Sequence, residues 1–336
     1  MGSTRGKSIF TLLAVLVFVS SFGGLPAYAR SDKGGLKEFV MQAADIYLTV
    51  IGNKGYDTAY IFHPEHKLMV TPRAIMNGFD IYNNNTSGKV EYDAFKSARL
   101  NLSLGADVDF RGLSAGYGYN PLKKQAGGRA YRDNFFTFNF FGNRFCIDAL
   151  YEDDGSLEGE MRRDGVWMPL PEGVLSHKTI AVNGYYVFNN KRFSYPAAFT
   201  QSFVQKKSAG SVIGALSCTS SRFVINPWVE LGGRSTEAGI TTVGVGAGYG
   251  YNLVTPYDWT LHFSAIPTVG MFLSGSSSEL FAGTMTGRVA VVKYFSGDRI
   301  FLSLTAHGEG LLALESFRFS YGQMLWEARF RLGFRF

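Results

Sequence analysis

WEARFRLGFRF, Trp326 to Phe336, is the stretch that decides the fold. Trp326, Ala328, Phe330, Leu332, Phe334 and Phe336 alternate with Glu327, Arg329, Arg331, Gly333 and Arg335. A period of two puts the first set on one face of a β-strand and the second on the other. An apolar face for lipid and a charged face for water are what a strand of a transmembrane barrel requires. The aromatic residues Trp326, Phe330, Phe334 and Phe336 read as an assembly signal, the form in which outer-membrane barrels present their last strand to the barrel-assembly machinery.

The same period recurs upstream. From Leu100 to Phe110 every even residue is apolar, and the odd ones, Asn101, Ser103, Gly105, Asp107 and Asp109, are small or polar. Strands are predicted at Leu68–Pro72, Leu113–Asn120, Asn134–Phe141, Phe145–Tyr151, Ile180–Phe188, Val212–Thr219, Val243–Tyr251, Trp259–Met271, Thr284–Phe295 and Ile300–Glu309. The reading is an all-β chain, a transmembrane antiparallel up-and-down β-barrel of about twelve strands, with about ten to fourteen as the range. AGYGYN occurs at Ala115–Asn120 and at Ala247–Asn252, with its tyrosines on the lipid face, where a ring is buried and its hydroxyl stays wet.

Connections alternate in length. Short ones fall around Arg111-Gly112, Gly142-Asn143, Val254–Tyr257 and Ser296–Arg299. Long ones run over Arg73–Arg99, Pro121–Asp133, Glu152–Thr179, Ser220–Thr242, Phe272–Gly283 and Gly310–Met324. This sidedness suits a membrane barrel, with turns in the periplasm and loops outside, better than a soluble sandwich. One connection, Asn189 to Ser211, is long on the short-turn side. It carries Lys191, Arg192, Lys206 and Lys207 together with Phe193, Tyr195, Pro196, Phe199 and Phe203. A long connection costs ordering entropy that a contact must offset. These residues are expected to form a plug or a partner-binding segment, with the rings packed near Gly112, Gly116, Gly244 and Gly248.

Ahead of the barrel, Arg5 and Lys7, the apolar run Ile9–Val19 and Ala27-Tyr28-Ala29 have the layout of a cleaved signal peptide. The expected organisation is a signal peptide over 1–29, a periplasmic segment over 30–65 with a short amphipathic helix at Leu36–Ile51, and the barrel over 66–336. The expected location is the outer membrane of a Gram-negative bacterium. Beyond that run no apolar stretch reaches the roughly 18 residues of a spanning helix. The net charge of +6 includes two cations of the leader and is too mild to argue for nucleic acid. The partners expected are outer-membrane lipid and lipopolysaccharide, the barrel-assembly machinery and a periplasmic protein. Cys146 and Cys218 are read as small packing residues, since a whole strand separates theirs and bridged pairs need Cα atoms within about 7 Å.

From about Tyr56 to Phe336 the chain resembles a family of uncharacterised Bacteroidetes outer-membrane proteins, domain of unknown function 4421. The residues that carry the resemblance are NGYYVFNNKRFSYPAAFTQSFVQKKSAGS at Asn183–Ser211, YDTAYI at Tyr56–Ile61, GYGYN at Gly248–Asn252 and ARFRLGFRF at Ala328–Phe336. The resemblance implies a membrane barrel and supplies no activity, cofactor or catalytic residue.

Three constellations bear on chemistry. His262 and Ser264 have the spacing of a base and a nucleophile, but they are expected to face the lumen on the periplasmic side, away from lipid substrates. His307 and Glu309 are expected near the outer rim, too few to define a protease. The acidic loop Glu152–Thr179 contains DDGSLEGE, which lacks the spacing of a calcium loop; Asp153-Asp154-Gly155 reads as a turn, with a divalent site shared with lipopolysaccharide as the alternative. Asp107, Asp109, Arg144, Asp148, Arg288, Glu327, Arg329, Arg331 and Arg335 are expected in the lumen. Their mixed signs suggest ion pairs that fill it, where a one-sign lining would suggest an ion-selective pore. The reading is a structural or interaction barrel with a plugged or narrow lumen. A small solute channel is the alternative, and an envelope lipid hydrolase or protease the second; no catalytic, cofactor or metal residue is assigned.

Overall fold

Strands of this chain cannot leave their backbone groups unpaired in lipid, and the only sheet that pairs them all is a closed one. In the computed structural model twelve strands close on themselves in antiparallel order. They are β1 (Leu68–Asn83), β2 (Asn101–Phe110), β3 (Leu113–Tyr119), β4 (Asp133–Phe141), β5 (Phe145–Asp154), β6 (Leu175–Val187), β7 (Ala209–Ile225), β8 (Thr236–Val254), β9 (Trp259–Phe272), β10 (Leu280–Phe295), β11 (Ile300–Glu315) and β12 (Arg318–Arg335). Each pairs with its neighbours in sequence, and β1 closes the ring by pairing with both β2 and β12. The described residues are 55–65, 68–83, 94–97, 101–110, 112–121, 125–126, 129–130, 133–155, 157, 159–163, 165–170, 173–226, 236–273, 280–295, 298–315 and 318–336. The leader and the helix expected at Leu36–Ile51 lie outside them.

The alternation works as the sequence suggests. Leu104, Val108, Tyr117, Tyr119, Phe138, Leu216, Val245, Tyr249, Phe263, Leu304 and Phe330 are exposed on the outer face, while Asp107, Asp109, Phe135, Arg288 and Arg331 are buried inside. Close ion pairs line the interior. Arg73 reaches Asp107 at 2.5 Å, Arg288 reaches Asp148 at 2.7 Å and Arg329 reaches Glu327 at 2.7 Å. Val182 and Tyr185 of β6 stand between Cys218 and Cys146, and both thiols are free.

Several boundaries differ from expectation at the long-loop end. The connection expected from Arg73 is strand as far as Asn83, and Arg73 faces the lumen. The inner face of that stretch carries Ile75, Phe79 and Ile81, all buried, beside Asn77, so apolar residues occupy both faces and the alternation fades. Asp153 and Asp154 belong to β5, not to a turn. β11 continues to Glu315, which puts His307 and Glu309 in mid-strand, away from the rim. Arg144 sits exposed in the β4–β5 turn, outside the lumen.

The loop end is covered. The hairpin Gly159–Arg163 with Val166–Leu170 joins β1 through the short strand Ala94–Ser97. Leu157, Met161, Leu170 and Val174 then pack on Phe79 and Ile81 of β1, Leu175 of β6 and Phe223 of β7, with Leu325 of β12 partly buried against them. In a ring of twelve, β1 faces β7 and β6 faces β12, so this apolar cap reaches from wall to opposite wall.

Candidate functional site in the lumen

The long connection between β6 and β7 leaves at the short-turn end and fills that end of the lumen. A turn at Asn189–Phe193 reverses it, with Phe193 N–H donating to Asn189 O at 2.9 Å. One helical turn follows, α1 (Pro196–Phe199). Proline suits its start because the first amides of a helix have no partner within it. Gln201 then takes a left-handed backbone, φ 52°, uncommon for a residue with a Cβ. The conformation is held from outside. Arg335 Nη2 donates to Gln201 O at 2.5 Å, and Arg331 donates to Gln201 Oε1 at 3.0 Å and to Phe199 O. The two wall arginines of the WEARFRLGFRF strand thus fasten the segment.

Val204–Gln205 pairs with Ile61–Phe62, tying the residues ahead of the barrel to the same assembly. Gln205 is its hub. Its Oε1 accepts from Ser194 N–H at 2.9 Å and from Asn252 Nδ2 at 3.0 Å. Its amide lies within donating reach of Arg192 O, Lys207 O and Tyr60 O. Asn252 also donates to Ser194 O at 2.8 Å, which leaves its Oδ1 to accept from His262 Nδ1 at 2.6 Å.

Rings fill the remaining space. Phe193, Tyr195 and Phe203 are almost fully buried. Tyr195 packs on Phe141, Tyr185, Phe199 and His262. Burial pushes its hydroxyl up to about 12, against the opposing pull of the Arg288 guanidinium. That guanidinium lies 5.0 Å from the Tyr185 ring and 5.5 Å from the Phe199 ring, caged by wall and segment together. Phe203 packs with Ile61 and Ala197, its ring edge-on to Tyr56 and His63.

The sequence-predicted residues separate into two sets. Phe193, Tyr195, Pro196, Phe199 and Phe203 are inside, whereas Lys191, Arg192, Lys206 and Lys207 are exposed at the mouth. Arg192 lies 3.8 Å from Asp57, and both Arg192 and Lys207 lie over the Tyr60 ring. On β12, Phe330 and Phe336 are exposed on the outer face, with Trp326 and Phe334 half-buried on that face. The glycine expectation is corrected at Gly116, Gly244 and Gly248. A Cβ at Gly116 would meet Asp107, one at Gly244 the Thr268 and Ser217 hydroxyls, and one at Gly248 the backbone of Ala265. The glycine that makes room for the segment is Gly250, where a Cβ would stand 3.2 Å from Phe193 Cζ.

Gln201, Gln205 and Asn252 were not legible as site residues. They are neutral amides with no motif, and only the β8–β9 register brings Asn252 opposite His262. His262 and Ser264 face the lumen as expected, with the His262 ring packed against Phe193, Tyr195 and Phe199.

The fold and this site define a class, a transmembrane-type β-barrel whose lumen is filled by its own chain at one end and capped at the other. The chain belongs to the family described as domain of unknown function (DUF4421), whose model matches residues 55–336. A search of curated proteins finds no match. Among solved structures it is similar to the β domain of the Bordetella autotransporter BrkA, at 11% identity and TM-score 0.38 over 80% of this chain and 99% of that one. OmpT of Vibrio cholerae gives 8% and 0.28 over 79% and 96%, and the anion-selective porin from Comamonas acidovorans 9% and 0.24 over 80% and 100%. Likenesses this loose carry no argument, and the fold rests on the strand ladders above.

Proposed function

We propose that this chain is an outer-membrane barrel held shut, acting as a structural or interaction barrel whose working surfaces are its two covered ends. The supporting observation is the fastening of Phe199 and Gln201 to Arg331 and Arg335, which locks the connecting segment to the wall that closes the barrel. On this reading the short-turn end faces the periplasm. Lys191, Arg192, Lys206 and Lys207 then present a basic rim to a periplasmic partner, and the outer apolar belt sits in lipid with lipopolysaccharide around its outer half. The mixed-sign interior supports a narrow lumen over a wide porin. Planar-bilayer recording tests the reading: purified wild-type protein gives no stable conductance, and steady multi-state channels from it would overturn the proposal.

A small solute channel opened by movement of the segment is the second reading. The observation favouring it is the polar lumen between the two covers, where Arg73, Asp107, Asp148, Arg288 and Glu327 form a charged column. A lipid hydrolase using His262 and Ser264 has less support, since both face inward and His262 is packed against three rings of the segment.

A further inference from the structure

Alternation splits the acidic run of β5. Asp153 points outward, 3.0 Å from the Lys178 ammonium, while Asp154 is buried inside. Inside, the ladders set Asp133, Asp154 and His177 side by side on β4, β5 and β6, with Glu152 one inward position further along β5. One donor atom each from Glu152, Asp154 and His177 lies within 4.8 Å of the other two. Metal bonds of about 2.0–2.2 Å put ligand atoms about 3–4 Å apart, within a small side-chain adjustment of this arrangement.

The surroundings are those of a built site. His177 is 5% exposed, and its ring stacks on Phe223 of the apolar cap at 4.3 Å. Thr179 Oγ1 stands 2.6 Å from His177 Nε2 and 3.0 Å from Ser221 Oγ, a hydroxyl chain outside the ligand set that orients the imidazole. Such outer partners are what a ligating histidine needs. From β1, Asn77 Nδ2 reaches Glu152 Oε1 at 2.7 Å, and the carbonyl oxygen of the same amide is buried with no partner. Two carboxylates crowded against an imidazole beneath an apolar cover are costly as separate charges, and a bound cation removes that cost.

We infer that Glu152, Asp154 and His177 form a site for one divalent transition-metal ion of the zinc or manganese class, set under the cap at the loop end of the lumen. The imidazole is the reason to exclude calcium and magnesium, which take oxygen ligands. The ion would cross-link β5 to β6 just below the cap and stiffen that end of the barrel. The segment at the other end has no part in this, so the inference stands apart from the proposed function.

The test uses folded full-length barrel in detergent, stripped with chelator and titrated separately with Zn2+, Mn2+ and Ca2+ by calorimetry, with bound metal counted by mass spectrometry after dialysis. The expected result is one Zn2+ or Mn2+ per chain and no stoichiometric Ca2+. His177→Ala and Asp154→Asn should lose stoichiometric binding, and Thr179→Val should weaken it by about 10–100-fold. Should the His177 variant fail to show heat-modifiable migration, Co2+ added to wild type decides. Visible bands of a nitrogen- and oxygen-ligated ion, displaced by one equivalent of Zn2+, support the site. Substoichiometric uptake, preference for Ca2+, or unchanged Zn2+ affinity in folded His177→Ala overturns it, leaving a hydrogen-bonded cluster that holds no metal.

Discussion

At the scale of single residues, the two faces of the wall make opposite predictions for the same substitution. Phe336 is exposed on the outer face, and its amide donates to Leu68 O at 2.9 Å, where β12 meets the start of β1. Phe336→Asp places a charge on the lipid side of the closing seam, and should sharply cut the folded, heat-modifiable amount in membranes. Phe135 is buried in the lumen between the guanidinium groups of Arg73 and Arg329, at 5.1 and 5.6 Å from its ring. Phe135→Asp brings a carboxylate to two cations and should leave most of the folded amount intact. Equal loss at both positions would mean that the alternation is not a lipid face. Gly250 gives a third residue-scale prediction. Gly250→Leu has no room beside Phe193 and Ile213, and should unseat the segment without breaking the β7–β9 ladders. The check is faster trypsin cleavage at Lys206 and Lys207 with unchanged heat-modifiable migration.

At the scale of elements, the segment from Asn189 to Ser211 is held by bonds from a charged wall. A hydrogen bond to a charged group contributes about 1.5–3 kcal/mol. Arg331→Ala and Arg335→Ala each remove such bonds to α1 or Gln201, so each should raise the trypsin sensitivity of Lys191, Arg192, Lys206 and Lys207, and the double variant more than either. A segment cut at the wild-type rate in the double variant would show that the rings alone hold it. The same scale shows what the sequence could and could not display. All twelve strands were legible wherever lipid lies on one side and small or polar groups on the other, as along β2, β9 and β12. The loop-end halves of β1, β6 and β7 were not, because Phe79, Ile81, Leu175 and Phe223 turn apolar side chains inward to the cap, and the period of two loses its contrast. The segment's rings stood out because they lie in a connection too long for its side of the barrel. Gln201, Gln205 and Asn252 did not, because a hydrogen-bond hub is defined by neighbours from three strands and not by spacing along one.

At the scale of the whole molecule, the barrel is closed twice by different physics. The turn end is closed by a polar latch around packed rings, and the loop end by an apolar cluster between opposite walls. The two closures lie at opposite ends of the strands and share no residue, so their disruptions should add. Opening the turn end alone leaves the cap as a constriction, and loosening the cap alone, for example with Met161→Asp, leaves the latch.

Single-channel recording in a planar bilayer tests this account most directly, on three proteins: wild type, a variant with Ser194–Ser208 shortened to a few glycines, and that variant combined with Met161→Asp. The account predicts a silent wild type, small and infrequent openings from the shortened barrel, and large steady conductance from the combined variant, each confirmed as folded by heat-modifiable migration. A shortened and uncapped barrel that folds and stays silent would contradict it, because a lumen closed by these two elements must conduct once both are gone.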